Sequence, residues 1–177
     1  MKKAAILFCL TVLFSLCALA QSSSTGPSAE LGFGYAHLTG DVGKNGWNAT
    51  GALNFSDRWG IEADFGGYYG KDSILGFNVN NDVYTYTFGP KVMFTTGDER
   101  VTPFAHLLFG GGHESADTPL GSQSDSAFTW MLGGGADLNL AHNWAARGKI
   151  DFVRTNFFDN GDTHARLGVG IVYKWSR

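Results

Sequence analysis

Residues 164–175 (HARLGVGIVYKW) separate apolar from polar positions at a period of two. Ala165, Leu167, Val169, Ile171, Tyr173 and Trp175 share one face, while His164, Arg166, Gly168, Gly170, Val172 and Lys174 share the other. Successive side chains of a strand point to opposite sides, so this segment is a strand with one apolar, aromatic-ended face and one polar, glycine-bearing face. The same period recurs upstream. Residues 30–38 set Leu31, Phe33 and Tyr35 against Glu30, Gly32, Gly34 and Ala36, and residues 47–55 set Trp47, Leu53 and Phe55 against Asn48, Thr50 and Asn54. Residues 59–69 oppose Trp59, Ile61 and Phe65 to Glu62, Asp64 and Gly66. Residues 83–94 oppose Tyr84, Tyr86, Phe88 and Phe94 to Thr85, Thr87 and Lys91, with Pro90 on the apolar side, where it removes a ladder donor. Residues 127–140 oppose Phe128, Trp130, Leu132, Leu138 and Leu140 to Thr129, Gly133, Asp137 and Asn139. Residues 144–153 oppose Trp144, Ala146, Ile150 and Phe152 to Arg147, Lys149 and Asp151. Residues 102–112 (TPFAHLLFGGG) are apolar at both parities, and their faces stay unassigned.

Turn residues divide these eight strands. Connections near Asp57, Gly97 and His142 are brief, while those over 39–46, 70–81, 113–125 and 156–162 read as longer polar loops. Short and long connections in strict alternation are the mark of a transmembrane barrel. A soluble barrel buries its apolar face and shows charge to water. Here the apolar face ends in aromatics, as a lipid-facing surface does at the headgroup layers, and the other holds Gly, Thr, Asn and charges. The expected fold is all-β, an eight-stranded antiparallel up-and-down transmembrane β-barrel.

The N-terminus sharpens the location. Lys2 and Lys3 precede an apolar run over 4–16, and Ala18-Leu19-Ala20 gives a small-x-small cleavage pattern. Residues 1–20 therefore read as a secretory signal peptide cleaved after Ala20, 21–27 as a polar periplasmic lead-in, and 28–177 as the barrel. Leu16 before Cys17 argues against a lipoprotein site, and both cysteines, Cys9 and Cys17, lie in the leader. The expected destination is the outer membrane. The formal charge of −3 gives no basis for nucleic-acid binding.

Three stretches carry a family likeness: GGGADLNL at 133–140, WAARGKIDF at 144–152 and RLGVGIVY at 166–173. With the rest of the mature chain they resemble the small OmpA/OmpX-type outer-membrane β-barrels, including opacity-protein-like adhesin and porin relatives. The last stretch also resembles the C-terminal insertion signal of such barrels, with Arg166, Gly168, Ile171 and Tyr173 at its offsets, although the chain continues to Ser176 and Arg177. The resemblance implies partners in the lipid bilayer, lipopolysaccharide and the outer-membrane assembly machinery, and a monomer. It implies a structural or surface-interaction role through extracellular loops, with a narrow porin-like channel or a lipid-modifying enzyme as alternatives.

The polar faces supply the candidate residues. Glu30, Glu62, Asp64, Asp137 and Asp151 balance Lys91, Arg147, Lys149, Arg166 and Lys174 in the lumen. An eight-stranded barrel is only wide enough for side chains to fill it, so these charges are expected to pair. Asp137 and Arg147 each stand three residues inside a strand end and should lie opposite one another; counted from Trp59 and Phe94, Glu62 and Lys91 should lie at the same height. His113-Glu114-Ser115 could place His and Ser side by side for nucleophilic chemistry, or with Asp117 hold a weak cation, but it reads as an exposed loop. The five histidines are scattered, without metal-ligand spacing. No catalytic residue, cofactor or metal ligand is assigned.

Overall fold

A computed structural model describes residues 27–39, 43–74, 77–94, 100–118, 121–157 and 160–176. Eight strands run in chain order: β1 Pro27–Leu38, β2 Lys44–Asn54, β3 Trp59–Ile74, β4 Phe77–Met93, β5 Val101–Thr118, β6 Gly121–Ala141, β7 Trp144–Phe157 and β8 Asn160–Ser176. Each pairs with the next, and β1 closes on β8, giving a barrel with every pair antiparallel. Closure removes the sheet edge, which is what allows strands to cross a bilayer.

The alternation read from the sequence is the alternation of the barrel wall. Phe33, Tyr86, Phe88, Phe152 and Val169 are more than half exposed on the outside, whereas Glu62, Asp64, Lys91, Asp151 and Arg166 are buried within. Outward aromatics gather at two levels. Trp59, Phe94, Trp144 and Trp175 stand at the end with the short turns, and Tyr69, Tyr84 and Phe128 near the other end. On β3, Trp59 and Tyr69 are ten residues apart. At about 3.3 Å per residue and a tilt of about 45°, that step spans roughly 23 Å along the barrel axis, close to the apolar band of outer-membrane barrels.

The structure departs from the sequence reading at the other end. Residues 70–81 and 113–125 do not form loops over their length: β3 and β4 stay paired out to Ile74↔Phe77, and β5 and β6 out to Thr118↔Gly121. The segment 156–162 is likewise mostly strand, paired to Phe157↔Asn160. Polar turn-forming residues marked these stretches as loops, but a backbone ladder outside the membrane needs no apolar face to hold it. Pro90 is accommodated on the wall: the β4–β5 ladder has no pairing at Gly89 and Pro90 and resumes at Lys91↔His106.

Candidate functional site: a charge-filled lumen

The strand register brings the inward charges together in two tiers. Nearer the turn end, Glu30 accepts hydrogen bonds from Lys91 Nζ at 2.6 Å, Arg147 Nη2 at 2.6 Å and Asn54 Nδ2 at 2.9 Å. Arg147 is held opposite Asp137 by the β6–β7 register, as expected, and donates to its carboxylate from Nε at 2.7 Å and Nη2 at 2.9 Å. Lys174 Nζ reaches Asp137 at 3.0 Å and Asn139 Oδ1 at 3.0 Å. The ring of Phe104 lies under both cations, 4.6 Å from Arg147 Cζ and 5.0 Å from Lys91 Nζ, so its negative face adds to the carboxylates.

The second tier centres on Arg166, which is fully buried. Its guanidinium donates to Asp64 at 2.6 Å, to Asp151 at 2.7 Å and to the Tyr68 hydroxyl at 2.9 Å. Lys149 Nζ meets Asp64 at 2.6 Å. All ten lumen charges named from the sequence are therefore inside and engaged. One placement differs. Lys91 pairs across the ladder with Gly60, and Glu62 with Gly89, so Lys91 lies a step off the expected height. Its ammonium turns to Glu30 and stays 3.6 Å from Glu62.

His106 joins the tiers and was missed. Its Nδ1 lies 3.1 Å from Glu62 Oε1 and its Nε2 2.8 Å from Asp151 Oδ1. Ionised carboxylates only accept hydrogen bonds, so both ring nitrogens donate and the ring is an imidazolium. The signal that could have found it is parity. His106 is the one ionisable side chain in 102–112, and placing it with the other charges turns the even positions of β5 inward.

That parity also sends Phe104 and Leu108 inside, which the expectation of a polar lumen did not include. Toward the long-hairpin end Ala36, Leu38, Tyr68, Val83, Leu108, Met131 and Val153 form one buried apolar cluster across the lumen. The interior is thus a stack: paired charges, then an apolar layer. By β1 and β8 lies a cavity of about 10 Å³, room for a single water-sized body.

The His113-Glu114-Ser115 triplet is in β5, not in a loop. His113 faces outward with Nδ1 2.9 Å from Ser126 Oγ, while Glu114 turns to the lumen side and pairs with Lys44 at 3.0 Å. His113 and Glu114 therefore do not meet in one site. The side chains of Ser115 and Asp117 fall outside the described residues, and among the described residues no group of three His, Cys, Asp or Glu could hold a metal.

A closed eight-stranded antiparallel barrel with an apolar exterior, two aromatic levels and a filled lumen is an outer-membrane β-barrel by construction. The comparisons agree. Residues 6–174 match the family described as outer membrane protein beta-barrel domain, and the chain belongs to that family. Among solved structures it is similar to Ail, the attachment invasion locus protein of Yersinia pestis, at 19% identity and a TM-score of 0.59, covering 86% of this chain and 100% of that one. It is similar to Neisserial surface protein A at 9% identity and 0.66, covering 83% and 96%. The Pseudomonas aeruginosa outer membrane protein OprG aligns at 13% identity and 0.57, covering 88% and 99%. No curated protein matches. The protein is an outer-membrane barrel whose interior is a charge network.

Proposed function

We propose that this barrel is a non-conducting anchor whose work is done by the strands it raises beyond the membrane. The observation that carries the reading is the filled lumen: an ion-pair network with an apolar layer above it occupies the described interior. In this reading the short turns face the periplasm and the long hairpins the exterior, following the asymmetry of the family.

The outer rim is uneven, which supports a surface-interaction role. β2 pairs with β3 only up to Asn45↔Tyr69, and β6 with β7 only up to Thr129↔Thr155. Beyond those points β3, β4, β5 and β6 continue as a four-stranded sheet, with backbone at 70–74 and 121–128 lacking a neighbouring strand among the described residues. Such edges can take up an extended segment of another protein by strand addition. No enzymatic step is part of this reading, and the leader cleaved after Ala20, the monomeric state and handling by the assembly machinery complete it. In it Arg166, Gly168, Ile171 and Tyr173 form the insertion signal, and Tyr173→Asp lowers the yield of assembled, heat-modifiable barrel.

Purified protein in planar bilayers should show no steady conductance; an open-channel current would move the porin-like reading ahead. On intact cells an epitope at Ser122 should label and one at His142 should not. The reverse pattern would invert the topology.

A further inference from the structure

The geometry points to a binding site for one small monovalent anion, chloride in ordinary media, in the lumen wall between β2 and β7. Four glycines build it. Gly32 and Gly34 of β1, with Gly168 and Gly170 of β8, all point inward and leave two adjacent strands bare. The register then sets polar arms on either side. Thr50 and Asn48 of β2 pair with Gly32 and Gly34, and Lys149 and Arg147 of β7 pair with Gly168 and Gly170. The arms lean over the bare strands: a Cβ at Gly32 would meet Thr50 Oγ1 at 2.5 Å, and one at Gly168 would meet the Lys149 stem at 3.0 Å. The cavity of about 10 Å³ lies among these residues.

Three observations choose an anion. The charged side chains lining the cleft are Arg147 and Lys149; their carboxylate partners, Asp137, Glu30 and Asp64, lie behind them and do not line it. Asn48 and Thr50 are buried, 5% and 4% exposed, and line the cleft, bringing an amide N–H and a hydroxyl that can donate into it. The described lumen charges also do not close on themselves. Among the described residues Glu30, Glu62, Asp64, Asp137 and Asp151 face five Lys and Arg side chains and the His106 imidazolium, leaving one positive charge in excess, since Lys44 and Glu114 cancel. An uncompensated charge in a buried site is costly, and a monovalent anion at the Arg147–Lys149 side neutralises it. Lys149 bonds Asp64 through one ammonium hydrogen and keeps two more to offer.

The test is diffraction from crystals of the refolded protein grown in sodium bromide, with data at the bromine absorption edge. One anomalous peak in the cleft, within hydrogen-bond reach of Lys149, is the expected result. Water-like density without anomalous signal there overturns the proposal. Asn48→Leu with Thr50→Val keeps both cations and removes the donors; bromide occupancy should fall at least tenfold, and unchanged occupancy overturns the site as drawn. Should that variant not refold, the wild-type protein still decides. Its unfolding midpoint should rise with sodium chloride more than with sodium gluconate at equal ionic strength, the gluconate ion being too large for the cleft, and equal shifts overturn the proposal.

Discussion

The two halves of the lumen solve the same packing problem by different means. Toward the turns the space is filled by long charged side chains, each tied to a partner on another strand: Arg166 to Asp64 and Asp151, Arg147 to Asp137 and Glu30. Toward the hairpins it is filled by Leu38, Leu108, Met131 and Val153, which need only shape. The charged half is the more demanding. Burying an ion repays its desolvation only when its hydrogen bonds are nearly all met, so removing one member strands its partners. The apolar half loses transfer energy and leaves a cavity when trimmed, and its neighbours can relax into part of that cavity. The charged half therefore fixes register and the apolar half fills the space above it.

Arg166→Met breaks the comparison most sharply. It leaves Asp64 and Asp151 short of their shared guanidinium and the Tyr68 hydroxyl without its donor. A loss of about 3–5 kcal/mol is expected, read as a lower urea midpoint in detergent micelles or small vesicles. Leu108→Ala, on the apolar side, should cost about 2–4 kcal/mol and leave the ion pairs in place. If the two variants are equally destabilised, the distinction between the halves is lost.

Arg147→Ala sharpens it within the charged half. The single variant should lose about 3 kcal/mol, because both Asp137 and Glu30 lose a donor. Adding Asp137→Ala should return part of that loss and not all of it, since Glu30 stays short of one partner while keeping Lys91 and Asn54. Strictly additive effects in the double-variant cycle would mean the charges are independently hydrated.

What the sequence made legible follows the same division. Charges declare their face, so the seven strands carrying a clear alternation gave the wall, the inward set and the Asp137–Arg147 pairing. β5 was illegible because its inward residues include Phe104, His106, Leu108, Gly110 and Gly112, a mixture that matches the lipid-facing side in hydropathy. The apolar layer was invisible too: Leu108 lies on unassigned β5, and Met131 and Val153 lie on polar-patterned faces, where a lone apolar residue reads as noise. The height of Lys91 needed the β3–β4 register, which the number of residues in the turns does not settle. The strand extensions beyond the membrane were hidden because polar, turn-forming residues can build a ladder in water without an apolar period.

The smallest effect belongs to the rim, where Lys44 of β2 reaches Glu114 of β5 at 3.0 Å across the lumen mouth. Both side chains keep about a seventh of their surface, 14% and 15%, so each is partly hydrated and neither depends wholly on the other. Long side chains lose rotamer freedom when held together, and water screens their attraction, so such a pair is worth about 0–1 kcal/mol. Lys44→Ala should therefore lower the midpoint by less than about 1 kcal/mol, and Glu114→Gln by no more. Raising salt should shrink even this difference, while the cost of Arg166→Met should change little, because ions do not reach a fully buried guanidinium. A Lys44 effect as large as that of Arg166, and insensitive to salt, would place the boundary of the dry interior higher than the apolar layer.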